Sequence, residues 1–308
     1  MNERQRIFAP VFMEFQKHTV LLLCLIVAFL SFAVPLFGQE ANLRFVVEEK
    51  LAKAEVYRDG KKTTGIRLEE VCDVDNDVVA ARVFRDYGAI FIAAPEVRFP
   101  VKCVFAGDSE VQMYQSTANP VTKNVGGTSI TLQEPAMNAL LEAVDEARKK
   151  NLRISPRGGS IAAARSYQDT VDLWYSRFNP GLGHWTGLGK IPRRDADAVR
   201  GWGIQKQVAK VLEWEAKGWY FSTDFSKSIL YSVAAPGASQ HLFMVALDVE
   251  QFASKPVREI LARHGWFQTV KSDLPHFTYL GLDESQLPAR GLKPVFVGGQ
   301  KFWIPNLD

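Results

Sequence analysis

Cysteine is scarce in this sequence, with 3 residues among 308. None belongs to a C-x-x-C pair, so a structural zinc site built from cysteines is not expected. Cys24 lies inside an apolar run, which leaves Cys72 and Cys103 as a pair that could form one disulfide in an oxidising compartment. The sequence by itself does not show whether those two cysteines meet.

A large excess of either charge is also missing. The chain has 37 basic and 34 acidic residues, a formal net charge of +3, and no basic stripe interleaved with aromatic residues. This balance argues against a nucleic-acid partner. The serine-hydrolase motif G-x-S-x-G is absent, and the stretch 237–241, G-A-S-Q-H, lacks its second glycine. A hydrophobic content of 47% excludes a largely disordered chain, and the length is enough for about two domains.

One long apolar run occurs near the N-terminus. Arg4, Arg6 and Lys17 precede the stretch 19–38, which contains LLLCLIVAFLSFAVPLFG. Since about twenty apolar residues cross a bilayer, this layout is typical of an export signal or a single membrane anchor. We therefore expect residues 1–40 to direct export to the periplasm or cell envelope, with the segment either cleaved or retained as an anchor.

Residues 41–116 alternate short runs rich in Val, Ile, Phe and Tyr with Gly and Asp. This pattern is typical of strands, so we predict a small β-rich domain, a spacer or docking unit without a recognisable catalytic group. Asn-Pro and Gly-Gly breakers in the polar stretch 116–130 indicate a boundary, with a second domain over 117–308.

Periodicity predicts helices and a hairpin in the second domain. Apolar residues recur at intervals of three and four in the first helical segment and more loosely in the second, while Gly265 suits the end of the third. A Gly-Gly pair suits the two-residue turn of a hairpin. The predicted elements are helices within 132–151, 195–217 and 256–264, and a hairpin that turns at Gly298-Gly299.

Two blocks in the second domain offer ligands for a metal ion. PGASQHLFMVALDV contains His241 and Asp248, and SDLPHFTYLG contains His276. Two imidazoles and a carboxylate commonly hold a catalytic zinc and leave its fourth position for water. Because His241 and Asp248 are an odd number of residues apart, an uninterrupted strand would place them on opposite faces. A bend near Met244 is therefore required.

These blocks resemble the zinc D-alanyl-D-alanine carboxypeptidases of the vancomycin-resistance type, whose signature is S-x-H-x-x-G-x-A-x-D followed by E-x-x-H. Met244 stands in place of the family's glycine, and Asp273 stands in place of its glutamate. The family's R-S-Y turn, which begins a helix, is present at 165–167. The other matching positions are Ser239, His241, Ala246, Asp248 and His276.

The resemblance implies an α+β fold of the hedgehog and D-Ala-D-Ala peptidase type, in which helices flank an antiparallel sheet. It implies a Zn²⁺ ion held by His241, Asp248 and His276. It also implies that Asp273 is the general base and that Arg165 binds the substrate and stabilises charge on the scissile carbonyl oxygen. The implied reaction is hydrolysis of a peptidoglycan stem peptide that ends in D-alanine.

The two departures from the signature favour an alternative function. A glycine would allow the bend more easily than Met244 does. Asp273 is one methylene shorter than glutamate, and a displacement of about an ångström can lower a rate on the order of a hundredfold. The hedgehog signalling domain shares this fold group, so the alternative is a weak or inactive module that binds cell wall or a partner.

Overall fold

Helices, rather than the predicted strands, prevail in the first part of the structure. The computed structural model describes residues 40–58 and 61–308, so the apolar run that predicts export lies outside the described residues. Among the residues described, none of the helices combines the length and the apolar character needed to span a bilayer. The elements up to residue 117 are α1 (Leu43–Ala52), β1 (Glu55–Arg58), β2 (Lys61–Thr64), α2 (Leu68–Val71), α3 (Val78–Tyr87) and α4 (Asp108–Thr117), with a buried 3₁₀ turn at Gly88–Ile92.

The prediction of a β-rich segment over 41–116 is therefore wrong. In α3 the buried residues are Val79, Ala80, Val83, Phe84 and Tyr87, which recur at the spacing of one helix face. The Val, Ala and Phe residues of this segment also fit the composition of strands. The helix forms because its spacing places these residues in one continuous buried stripe.

Residues from this first part share an apolar core with later elements. Leu43 and Phe84 belong to the same buried cluster as Trp174 and Phe221. Within the described chain, Glu40–Asp308 form one compact unit, and the predicted boundary at 116 falls inside α4.

The disulfide between Cys72 and Cys103 joins the end of α2 to the loop that precedes α4. The two Cα atoms are 5.2 Å apart, and both side chains are buried. The two cysteines that the sequence left as a possible pair thus meet. A bridge that closes a loop of this length stabilises the fold by about 3–4 kcal/mol, because it restricts the unfolded chain.

Most elements predicted after residue 117 are confirmed. The predicted helices 132–151 and 256–264 correspond to α5 and α9, and the C-terminal hairpin turns at Gly298-Gly299. The elements are β3 (Pro120–Val125), β4 (Thr128–Gln133), α5 (Glu134–Lys149), α6 (Tyr167–Gly187), α7 (Arg193–Arg200), α8 (Ile204–Glu215), β5 (Ala246–Asp248), α9 (Lys255–Arg263), β6 (Trp266–Phe267), β7 (His276–Tyr279), β8 (Leu292–Val297) and β9 (Gln300–Pro305).

The single helix predicted over 195–217 is wrong, because the chain forms α7 and α8 in its place. The break falls at Gly201 and Gly203, and Gly203 is the N-cap residue of α8. Glycine weakens a helix interior and is accepted at caps, so two glycines this close together favour a new start.

The central sheet is antiparallel, with the strand order β5-β7-β6. Leu247 lies opposite Phe277, and both pack into a buried cluster with Leu140 of α5 and Ile260 of α9. Phe243 and Val245, just before and at the entry to β5, belong to the other buried cluster. The sheet is thus flanked by apolar cores, which agrees with the α+β class expected from the motifs.

Candidate active site

His241 lies in a short 3₁₀ turn, Gln240–Phe243, directly before β5. The turn ends at Met244, whose φ of 54° and ψ of 35° are left-handed. The bend that the spacing of His241 and Asp248 requires is therefore present, and a methionine makes it. A non-glycine residue in this conformation costs about 1–2 kcal/mol.

Buried hydrogen bonds hold this strained turn in place. The backbone N–H of Gln133 donates to the carbonyl of Met244 at 2.9 Å, and its side-chain Nε2 donates to the carbonyl of Phe243 at 2.7 Å. Gln115 Nε2 donates to the carbonyl of Leu242 at 3.1 Å. The Met244 side chain is itself buried in the core, so packing offsets the backbone strain.

Three candidate ligand atoms converge at one point. Asp248 and His276 are directly opposite on β5 and β7, so their side chains share one face of the sheet. His241 Nε2 lies 3.1 Å from His276 Nδ1, and Asp248 Oδ1 lies 3.4 Å from each of these nitrogens. A tetrahedral zinc with bonds of about 2.0–2.1 Å separates its ligand atoms by about 3.3 Å. The triangle therefore has the dimensions of one coordination sphere.

The hydrogen bonds of the two histidines leave lone pairs directed into this triangle. His241 Nδ1 lies 2.7 Å from the carbonyl oxygen of Ala163, which can only accept, so Nδ1 carries the hydrogen and Nε2 does not. His276 Nε2 lies 2.8 Å from Oε1 of Gln240 and donates to it, which leaves Nδ1 unprotonated. Gln240 presents this oxygen because its Nε2 donates to the carbonyl of Tyr87 at 2.9 Å.

The buried Oδ1 of Asp248 has no hydrogen-bond partner among the described residues. Burial opposes ionisation of this carboxyl, but His241 and His276 outweigh burial when they are protonated, because their charge and hydrogen bonds then lower the pKa of Asp248 well below the usual range. Burial lowers the pKa of His241 to about 4, so its imidazole is neutral at pH 7. An ionised carboxylate oxygen and two neutral nitrogen lone pairs are donors suited to a divalent cation, so the site fits Zn²⁺.

Arg165 orients the carboxylate of this triad. Its Nη2 donates to Asp248 Oδ2 at 2.7 Å, and its Nε donates to the carbonyl of Ile161 at 2.9 Å. With Oδ2 held in this way, Oδ1 is the oxygen that faces the imidazoles. As predicted, a helix begins directly after this arginine, since Ser166 caps α6 in a reciprocal capping box with Asp169.

Asp273 lies in the loop before β7 and lines the same cleft as Arg165, His241 and His276. The side chain of Asp273 is exposed to the solvent in the cleft, although many protein atoms lie around it. Its carboxylate makes no hydrogen bond or ion pair with any residue the structure describes. Partial desolvation in the cleft raises the pKa of Asp273, with the charge of Asp248 adding to the effect. A raised pKa improves a carboxylate as a proton acceptor.

Two other histidines among the described residues lie outside the triad. His184 stacks on the ring of Phe225 with 4.1 Å between ring centres. His264, at the end of α9, bonds Glu146 at 2.9 Å. Gln240, by contrast, contacts a candidate ligand, and sequence analysis missed it. Its position next to His241 was the available signal.

No family model and no curated protein matches this chain. One similar solved structure is "VanYB in complex with D-Alanine-D-Alanine", with 16% identity, a TM-score of 0.33, and coverage of 57% of this chain and 86% of that chain. A second is a point mutant of the vancomycin resistance D,D-pentapeptidase VanY in complex with Zn(II), with 13% identity, a TM-score of 0.31, and coverage of 56% of this chain and 84% of that chain. A third is the LdcB LD-carboxypeptidase, with 14% identity, a TM-score of 0.29, and coverage of 55% of this chain and 87% of that chain.

The first two structures are of the vancomycin-resistance type that the sequence motifs resemble, and the third is an LD-carboxypeptidase. At TM-scores of 0.29–0.33 the likeness carries no argument about chemistry.

Proposed function

We propose that the protein is an exported zinc peptidase that hydrolyses peptidoglycan peptides, acting as a D-alanyl-D-alanine carboxypeptidase. The observation that carries this proposal is the convergence of His241 Nε2, Asp248 Oδ1 and His276 Nδ1 within 3.1–3.4 Å, with no hydrogen atom directed into the triangle. The triangle lies beside a cleft of about 170 Å³, which has room for the end of a peptide.

His241, Asp248 and His276 would hold the ion. When bound, Zn²⁺ supplies a Lewis acid that polarises a carbonyl group and makes water a stronger acid. Arg165 has two roles in this proposal. It fixes Asp248, and its Nη1, which makes no hydrogen bond within the described part of the chain, can donate to the substrate carbonyl oxygen.

Asp273 would move the proton. The attacking water forms a bond to the carbonyl carbon, and Asp273 accepts the proton that the water loses. The same carboxyl then donates this proton to the leaving amine as the C–N bond breaks. The position of Asp273 in the cleft, free of other hydrogen bonds, supports this role.

The disulfide and the apolar run support export. Disulfides persist in oxidising compartments, and the bridge between Cys72 and Cys103 is buried in the core. Peptidoglycan lies outside the inner membrane, so an exported peptidase would meet this substrate.

The test uses the purified full-length chain loaded with zinc. Peptides that end in D-Ala-D-Ala should release D-alanine, and a chelator or the His241→Ala substitution should abolish the release. His184→Ala is the matched control, because this histidine stacks on Phe225 and should not affect release. Zinc-loaded protein that is inert on every wall peptide would contradict the proposal.

A binding module is the second candidate, and the pairing of Arg165 favours it. Two of the donors of Arg165 are engaged by Asp248 and Ile161, which leaves fewer for a substrate in turnover. Asp273→Ala separates the two functions: an enzyme loses turnover, whereas a binder keeps its affinity for the same peptides and shows no turnover before or after the change.

A further inference from the structure

A second arginine lines the cleft beside the triad. Thr170, Leu173 and Arg177 follow one another on α6 at intervals of three and four, so they share one face of the helix. All three line the same cleft as His241 and Asp273. Arg177 therefore lies on the wall that begins at the R-S-Y turn and extends away from the triad.

The hydrogen bonds of Arg177 leave one edge of its guanidinium without a partner. Nη1 donates to the hydroxyl of Ser176 at 3.0 Å and to its carbonyl at 3.4 Å. Nε is buried and has no hydrogen-bond partner, and Nη2 donates to no group in the described part of the chain. Because the protein covers Nε and does not cover Nη2, Nη2 is the unpaired donor that an acceptor arriving with a ligand can reach.

The other arginine of the cleft differs in this respect. Arg165 is paired with Asp248, whereas no carboxylate among the described residues pairs with Arg177. A peptide with a free C-terminus brings a carboxylate into a cleft that already contains the negative charge of Asp273. Such a ligand requires a cation, and Arg177 is the unpaired arginine of this wall.

We propose that Arg177 binds the C-terminal carboxylate of the substrate through its guanidinium, with Nη2 as the accessible unpaired donor. This inference rests on the proposed peptidase function and assigns its specificity. A planar arginine fork matches a carboxylate with two parallel hydrogen bonds, which a lysine does not provide. Arg177 then makes the protein select peptide ends rather than internal bonds. Leu173, Val233 and Ala234 give the cleft an apolar lining that suits a small side chain such as the methyl of alanine.

The experiment compares Nα-acetyl-L-lysyl-D-alanyl-D-alanine with its C-terminal amide on the full-length, zinc-loaded chain. Affinity is measured by calorimetry in an Asp273→Asn background, which prevents turnover, and kcat and KM are measured with Asp273 in place. The wild-type Arg177 should favour the acid roughly tenfold to a hundredfold, the range expected of a hydrogen-bonded charge pair.

Arg177→Met keeps the apolar stem and removes the donors, so the preference for the acid over the amide should fall to about one. The change should appear in KM more than in kcat. Arg177→Lys should retain part of it. Arg194→Met is the control, because Arg194 is highly exposed and pairs with the adjacent Asp195. An acid preference that persists in Arg177→Met, or that is missing with Arg177 present, overturns the assignment. If Arg177→Met does not fold, an unchanged preference in Arg177→Lys overturns it.

The two proposals fail in different ways. Absence of D-alanine release with Arg177 and Asp273 both present contradicts the peptidase function, whereas the affinity ratio still reports on Arg177. Release that treats acid and amide alike contradicts the role of Arg177 and leaves the peptidase function in place.

Discussion

Gln240 sets the state of a neighbouring histidine although it carries no charge. Its Nε2 donates to the carbonyl of Tyr87, so its Oε1 faces His276 Nε2 at 2.8 Å and the hydroxyl of Thr278 at 2.5 Å. Thr278 is in turn 2.7 Å from the hydroxyl of Thr269. The network is buried, so His276 has one favourable tautomer, with the lone pair on Nδ1 directed at the triad.

We predict that Gln240→Ala weakens zinc binding roughly 10- to 100-fold, because the second partner that orients a metal-bound histidine is lost. Competition with a chromophoric chelator measures this affinity without any assay of activity. Gln207→Ala is the matched control, since Gln207 is equally buried but bonds the carbonyls of Arg200, at the end of α7, and Trp202, in the loop before α8. Zinc affinity that is unchanged in Gln240→Ala, or lowered equally by the control, would show that the tautomer is fixed by other means.

At the scale of elements, the turn between the 3₁₀ segment and β5 decides whether the triad can form. Without it, His241 and Asp248 would lie on opposite faces of one strand. Met244 adopts the left-handed conformation because Gln133 binds two successive carbonyls of the turn and because its side chain fills the core. Tertiary contacts thus replace the conformational freedom of glycine.

We predict that Met244→Gly lowers the free energy of unfolding, since removal of a buried methionine side chain costs about 2–5 kcal/mol and relief of the backbone strain returns only about 1–2 kcal/mol. Met244→Ala removes nearly the same side chain and keeps the strain. Urea denaturation should therefore rank the wild type first, Met244→Gly second and Met244→Ala last. An alanine variant that is more stable than the glycine variant would contradict the strained turn.

At the scale of the whole molecule, the buried triad couples the stability of the fold to pH. Burial lowers the pKa of His241 from its ordinary 6.5 to about 4. Below pH 6.5 the unfolded chain therefore binds a proton that the folded chain does not bind. The contribution of neutral His241 to the free energy of unfolding is fully present above pH 6.5, and it is lost as the pH falls toward the lowered pKa.

We predict that the metal-free protein loses about 3 kcal/mol of its free energy of unfolding between pH 6.5 and pH 4. Denaturant titrations across this range measure the loss. His241→Gln should flatten the curve. A slope that persists without His241 would assign the proton uptake to another group.

Local patterns predicted those elements whose signal lies within a few residues. The amphipathic helix α5 and the Gly298-Gly299 turn follow from spacing and turn propensity, whereas the helix after the R-S-Y turn was expected from the family resemblance. Local patterns did not predict the helices α1 and α3, because their closely spaced apolar residues fit strands and helices alike. Asp77, which caps α3 by accepting from two backbone N–H groups, was the local signal of a helix.

The sequence by itself determined which side chains are available as ligands, the order in which they follow, and the need for a bend between His241 and Asp248. Only the tertiary structure decided that a methionine makes this bend and that Arg165, 83 residues before Asp248, turns one carboxylate oxygen toward the imidazoles. The physical reason is that these are contacts between segments far apart along the chain. The direction of a buried lone pair depends on the partner that bonds the second polar atom of the same side chain. The packing of distant segments decides which partner that is.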